Sequence, residues 1–596
     1  MNYTKRLTAA LFMGSLLHAS AMDPGKSQTL TSPEQVPEGL SVADWSSIRS
    51  AYAAGVTSQQ AYLKASNTSA GDNFGASVAV AGDTVVVGAY REDSSTTGVN
   101  SVSNETANGS GAVYVFVRSG STWSQQAYLK ASNPSVGDNF GASVAVEGDT
   151  IVVGAYREDS STTGVNSVSN EAAINSGAAY VFVRRGGIWS QQAYLKASNT
   201  GASDLFGVSV AVAGDTVVVG AHREDGSTTG VNSVSNEAAS ESGAAYVFVR
   251  SGGIWSQQAY LKASNTGTFD FFGISVAVAG DTVVVGADLE WSSTTGVNSV
   301  SNNAAMGFGA AYVFVRSGST WNQQAYLKAS NTGKYDAFGI SVAIAGDTVV
   351  VGAAGEGSST TGVNSLPNEL ARGSGAAYVF VRSGSTWDQQ AYLKASNTGA
   401  NDYFGTSVAV AGNTIVVGAL GESSSTTGVN SVPNQAASQS GAAFVFIRSD
   451  GNWSQQGYLK ASNTGASDFF GVSVAVSGST FISGSQQEDS ITTGVNSVPN
   501  EAASGSGAAY IFTLPVAEPP PVVVKYLVKV KVSNTKFGKV TGSGSFNTGS
   551  KVVLKATAKK GHRFLGWFEK KKLVSKNRVL VINKLTKNRS LAVEFK

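Results

Sequence analysis

Three observations predict an all-β fold made of repeats. Val, Thr, Ser, Gly and aromatic residues dominate the 596-residue chain, and Gly alone fills 69 positions, a composition that favours short strands joined by turns. The dipeptide Phe-Gly recurs at Phe74, Phe140, Phe206, Phe272, Phe338, Phe404 and Phe470, always 66 residues apart. Four strand-like runs lie in each interval. A period kept without insertion through seven copies makes every unit one supersecondary block stacked on its neighbours. Seven blocks of four strands are the signature of a seven-bladed β-propeller, whose blades are four-stranded sheets set around an axis.

Composition also excludes. Charged residues make up 14% of the chain, too few for a disordered polyelectrolyte or a coiled coil. There is no Cys, which removes disulfide scaffolds, zinc–thiolate sites, iron–sulfur clusters and thiol nucleophiles. The chain has three His, which leaves little room for imidazole catalysis; His222, the one His in the repeats, is expected to be an exposed loop residue. The formal charge of +2 conceals a division. Residues 525–596 carry 19 Lys and Arg against Glu569 and Glu594, a net of +17, and residues 22–524 carry a net of −17. Parts so differently charged face different partners, or each other.

Residues 1–21 read as a secretory leader: Lys5 and Arg6 start it, Leu7 to Leu17 is apolar, and Ala19-Ser20-Ala21 is a small-residue cleavage pattern. The apolar run falls short of the ~20 residues of a membrane span, and no later segment is long and apolar enough, so an exported protein, secreted or held at the cell surface, is expected. Residues 22–58 form a linker and a short helix, capped by Ser41 with Asp44 behind it, carrying Trp45, Ile48 and Tyr52 on one face and ended by Gly55.

In the first unit, Phe74 to Val80 alternates small with bulkier residues, suiting a crowded inner strand, and Gly82-Asp83 makes a tight hairpin turn. Thr84 to Val87 is a β-branched run suited to burial on both faces. A polar stretch from Arg91 to Ser110 leads to strands at Ala112–Val117 and Trp123–Lys130. The ends predict closure. Gln59 to Lys64 is a fourth strand with no blade before it, and the seventh unit stops at Tyr510-Ile511-Phe512 without one. The orphan strand would complete the last blade and remove two open edges.

The ordered motifs Phe-Gly-x-Ser-Val-Ala, Val-Gly-Ala and Gly-Ala-Ala-Tyr-Val-Phe over residues 59–514 resemble the FG-GAP repeat, named for propellers such as the integrin α-subunit heads. The resemblance implies a seven-bladed propeller used in adhesion or ligand binding. Many FG-GAP blades carry an Asp-x-Asp-x-Asp-Gly calcium loop between their first two strands. Here that loop is Ala81-Gly82-Asp83-Thr84, and Gly478-Ser479 in the seventh unit. A lone carboxylate does not supply the six to eight oxygens that calcium prefers, so those sites are not carried over.

Two long loops per blade, around Asn67–Asn73 and Arg91–Ser110, should share one face, and binding residues gather on such loops. Asp72, Glu92 and Asn100 have an equivalent in all seven units. They stand either as a ring of oxygen ligands for calcium or as residues that pin their own loops through Asx-turns. Deviations between units mark a second candidate. Unit four has Leu289-Glu290-Trp291 where Arg-Glu-Asp is common, and adds Phe269, Phe271 and Phe308; Tyr335, Tyr403 and Phe469 continue the aromatic character, where units one and two have Asn73 and Asn139. These seven aromatics are expected to form an exposed patch for glycan rings or a protein partner, centred on unit four, or else to pack the loops onto each other. Many carboxylates are present but no unique pair of the kind glycoside cleavage needs, no nucleophile motif and no phosphate loop.

Beyond a proline spacer at 515–524, the sequence Gly561-His-Arg-Phe-Leu-Gly-Trp567 and the flanking strand-like runs of 525–596 resemble the small internalin-type B repeat of bacterial surface proteins, which implies a compact module of the β-grasp kind. Its basic charge would be drawn to anionic envelope polymers, or to the acidic propeller. Nucleic acid is not expected as a specific partner, since no recognition motif appears. The leading expectation is an exported, non-enzymatic binding or adhesion protein; the alternatives are a carbohydrate-active propeller enzyme and a structural surface or matrix component.

Overall fold

The computed structural model describes residues 58–304, 307–513, 525–547 and 550–596. The expected leader and helix, and the proline spacer, lie outside these residues. The chain divides into two compact units, Met1–Pro515 and Val516–Lys596.

The first unit consists of seven antiparallel sheets, each with four main strands in which neighbours in the sheet are hydrogen-bonded. Blade 1 consists of Ser77–Ala81, Thr84–Ala89, Ala112–Ser119 and Thr122–Leu129. The second strand is buried along its whole length, as its unbroken β-branched run requires. Gly82, with φ 55°, supplies the left-handed turn before it. Blades 2 to 6 repeat this plan. Blade 7 takes three strands from Val474–Ser477, Thr480–Ser485 and Ala508–Thr513, and its fourth from Ser58–Leu63 at the other end of the repeats. Gln59 pairs with Phe512, Tyr62 with Tyr510 and Leu63 with Ala509, so the expected closure is present.

Neighbouring blades meet at glycines. A Cβ on Gly88 would collide with the carbonyl oxygen of Gly141 in the next blade, and that same carbonyl accepts a hydrogen bond from the Ser77 hydroxyl at 2.8 Å. Ser473 repeats the bond to Gly75 across the blade 7–blade 1 boundary, also at 2.8 Å. The Gly of Phe-Gly and the Gly of Val-Gly-Ala therefore recur together because they are the two sides of one close backbone approach. Beside each contact a buried Phe anchors the blade; Phe140 stands edge-on to Tyr180 at 5.3 Å and Phe182 at 6.1 Å.

The Thr-Thr-Gly-Val-Asn stretch of each long loop covers the outer edge of its blade. Val99 bridges to Leu129 in blade 1, and in blade 2 Gly164–Val165 is a short fifth strand against Leu195 and Lys196. Asn100, at φ 55°, donates its N–H to the Tyr128 carbonyl at 2.8 Å and accepts the Tyr128 N–H on Oδ1 at 2.9 Å.

The second unit is built on two sheets, one of five strands with Lys525–Val532 and Arg589–Phe595 side by side in parallel, and one of three. Val528, Leu554, Trp567, Leu591 and Val593 form its own core. Among the described residues its one ion pair is Arg589 with Glu569, bidentate at 2.6 Å. Most of its basic side chains thus have no acid beside them.

Candidate functional site

The two long loops of adjacent blades are zipped together on one face: Asn73 and Phe74 donate their N–H groups to Gly505 and Ser506 carbonyls of the preceding blade, at 3.0 Å each. The residues weighed as calcium oxygens serve this framework. The Glu92 carboxylate is buried and accepts from Lys130 Nζ at 2.9 Å, the Tyr128 hydroxyl at 2.7 Å, the Asn67 amide at 2.9 Å and the Ser94 N–H at 3.1 Å. Lys130 is wholly buried, and its other two protons go to the Ser110 hydroxyl at 2.8 Å and the Gly111 carbonyl at 2.6 Å. Burial pushes the Glu92 carboxyl up, but Lys130 and the hydrogen bonds outweigh it and hold the carboxyl below its usual range. Asp72 caps the Ser69 N–H at 2.8 Å, and Asn100 clips the strand edge. No three acidic or imidazole side chains come together as a metal cluster among the described residues. The loop-pinning alternative accounts for all three positions.

Every blade has this buried Lys–Glu pair, from Lys64 with Glu488 to Lys460 with Glu422, at 2.8–3.0 Å. The lysines are absent from the sequence expectations. Their signal is a Lys closing the apolar Tyr-Leu run in all seven units, a place where a solvated charge does not belong.

The capping aspartates carry a pH consequence. Burial pushes Asp72 and Asp138 up to about 8, with only the Ser69 and Ser135 N–H groups pulling them back. A carboxyl raised above its unfolded value of 3.8 favours the folded state while protonated. That contribution is complete below about pH 4 and fades as pH rises through about 8, whereas the contribution of the depressed Glu92 type is complete above its ordinary value of 4.5 and is lost as pH falls through its folded value. The thermal midpoint is therefore expected to be higher at about pH 5.5 than at about pH 8.5, with the difference reduced in Asp138→Asn; a higher midpoint at the alkaline end would contradict the assignment.

The aromatic residues are not one patch. Phe308 replaces the serine equivalent to Ser110 and is 9% exposed; its ring lies under Lys328 Nζ at 5.9 Å, standing in for the missing hydroxyl. It is therefore interior, contrary to the exposed placement expected. Phe271 is half-buried and covers His222, edge-on at 5.1 Å. His222 is consequently buried rather than exposed, and burial, then Arg223, pushes its imidazole down to about 4. Trp291 and Phe469 are half-buried, and Phe269 is 40% exposed.

Two of the seven do converge. Tyr335 and Tyr403 line one cleft of about 390 Å3 on the loops of blades 5 and 6, with Lys334, Glu369, Arg372 and Asn401 around them. Both tyrosines sit at positive φ, 70° and 54°, where units one and two have the more permissive Gly71, Asn73, Gly137 and Asn139. Bulky residues held in this region cost free energy, a pattern that clusters at binding sites. Glycines also line the cleft: a Cβ on Gly355 would collide with the Tyr335 carbonyl oxygen, and one on Gly357 would crowd Glu369. Gly357 also replaces a scaffold residue, because Asp93 at the equivalent position of blade 1 accepts the Gly109 N–H at 2.8 Å. Blade 5 thus lacks the loop-pinning carboxylate and the neighbouring arginine that blade 1 has at these positions, Asp93 and Arg91.

Glycine-to-glycine blade contacts and strand-exchange closure define the class: a closed seven-bladed propeller of sequence repeats, with its long loops on one face. The FG-GAP repeat matches residues 57–116, 123–182, 189–248, 255–314, 321–380, 387–446 and 453–512, and the chain belongs to this family. Residues 528–596 match the divergent InlB B-repeat domain. No curated protein matches the chain. Each FG-GAP match opens on the fourth strand of one blade and ends on the third strand of the next. The sequence repeat therefore straddles the blade boundary, which is why the first repeat supplies the closing strand.

Proposed function

We infer that the chain is a surface or adhesion-type protein, a reading that both matched families fit. We propose that this chain is exported and acts without catalysis, binding a glycan through the cleft of Tyr335 and Tyr403 and anionic envelope polymers through residues 525–596. The observation that carries the first part is the pair of tyrosines lining, with close-packed glycines, a cleft of about 390 Å3. Aromatic faces beside Arg, Asn and Glu side chains suit the alternating apolar and hydroxylated surfaces of sugar rings. The second part is supported by the net charge of +17 over 525–596 and its single ion pair among the described residues.

The test is a glycan array probed with the full chain and with Tyr335→Ala/Tyr403→Ala. The double variant is expected to lose at least about tenfold in affinity while its thermal midpoint stays within about 2 °C, since partly exposed side chains carry little stability. Unchanged binding to every retained glycan would remove the cleft from consideration, and capture of a protein but no glycan would move the ligand to that class. Retention of the chain on an acidic polysaccharide column, if it belongs to the basic domain, should vanish at about 1 M salt.

A further inference from the structure

The second cleft on the long-loop face lies between blades 1 and 2, and it has a different chemistry. Its volume is about 420 Å3, within the ~300–1,000 Å3 range of small-molecule sites. Tyr90, Arg91, Tyr156 and Arg157 line it, together with Gly71, Gly109 and Gly137. Each guanidinium is stacked over its own neighbour: Arg91 lies 5.5 Å from the Tyr90 ring centre and Arg157 lies 5.5 Å from that of Tyr156. Both arginines are exposed, and among the described residues neither has an ion-pair partner.

The same position elsewhere shows what is unusual here. In blade 3 the corresponding Arg223 faces Glu241 at 3.7 Å. In blades 4 to 7 the position holds Leu289, Gly355, Gly421 and Gln487. Blades 1 and 2 have Gly109 and Asn175 where blade 3 has Glu241, so their two cations keep free hydrogen-bonding faces. The acid in the cleft, Asp93, already accepts the Gly109 N–H at 2.8 Å. The Asn139 amide ties the walls together by donating to the Tyr90 carbonyl at 3.2 Å and the Gly109 carbonyl at 3.3 Å. Two guanidiniums against one carboxylate leave a positive recess within repeats that are otherwise strongly acidic.

We infer that this cleft binds an anionic sugar unit, its carboxylate or sulfate gripped by Arg91 and Arg157 and its ring set against Tyr90 and Tyr156. A guanidinium offers a planar fork of donors that matches an oxyanion. Stacking on tyrosine fixes that fork before the ligand arrives, which lowers the ordering cost of binding. The inference stands apart from the tyrosine cleft of blades 5 and 6 and does not depend on it.

The experiment is hydrogen exchange on the full chain, read peptide by peptide so that any uptake by residues 525–596 is seen separately. The probes are trigalacturonate, a sulfated heparin disaccharide, neutral maltotriose and inorganic sulfate. Protection of residues 90–93 and 156–159 is expected with trigalacturonate or the sulfated disaccharide, and which of the two acts identifies the anionic group. Arg91→Ala/Arg157→Ala is expected to weaken that binding at least about tenfold, with an unchanged thermal midpoint as a check on folding. Equal protection by maltotriose, equal protection by inorganic sulfate alone, no protection by either acidic sugar, or protection that survives the double substitution would overturn the inference.

Discussion

Replacing Lys130 by Met is expected to cost about 3–5 kcal/mol of folding free energy, among the largest effects of any single change in the propeller. The ammonium is fully buried and spends its three protons on Glu92, Ser110 and Gly111. Met fills much of the same volume, so the loss comes from electrostatics rather than from a hole. Glu92 would be left as an uncompensated buried charge that still accepts from Tyr128 and Asn67. Two companions isolate that cause. Lys130→Met with Glu92→Gln should recover a large part of the loss, because no ion is then stranded. The single variant should also regain stability at acid pH, where Glu92 takes up a proton. Denaturant unfolding of the three proteins checks both points; a single variant as stable as the parent at neutral pH would mean that the pair carries no weight.

A chain lacking residues 1–65 is expected to lose on the order of 5–10 kcal/mol and to unfold in more than one step. The deletion removes the buried Tyr62 and Leu63 from blade 7, strips Glu488 of Lys64 at 2.9 Å, and exposes the strand Ala508–Thr513 as a bare edge. A synthetic peptide of residues 57–66 should bind the truncated protein and restore one cooperative transition, because the vacated groove presents the same hydrogen bonds that Ser58–Leu63 uses. Calorimetry of the truncated protein with and without peptide decides the matter. A single sharp transition at the parental temperature without peptide would show that closure contributes little.

The architecture was legible because its signals are local. Alternation along Phe74 to Val80, the turn at Gly82 and the β-branched run from Thr84 each report their own conformation, and the 66-residue spacing multiplies each signal sevenfold. The face was less legible because its chemistry is set between blades. Glu92 reads as a free loop carboxylate until Lys130, 38 residues away, is placed against it. Phe308 reads as a surface aromatic until it is seen to occupy the position that Ser110 holds in blade 1. His222 reads as exposed because Phe271, which covers it, belongs to the next blade. What spacing did show was where units differ, and two of the seven aromatics it marked, Tyr335 and Tyr403, share a cleft.

The clip formed by Val99 on Leu129, and by Val495 on Leu63 in the last blade, bears on crowding. Unclaimed strand borders invite neighbours to zip on, and that is how β-rich proteins turn into fibres. Here the exposed border of each blade is partly engaged by its own loop. Where many copies accumulate, borders engaged in this way offer fewer free backbone groups on which a neighbour's strand could build.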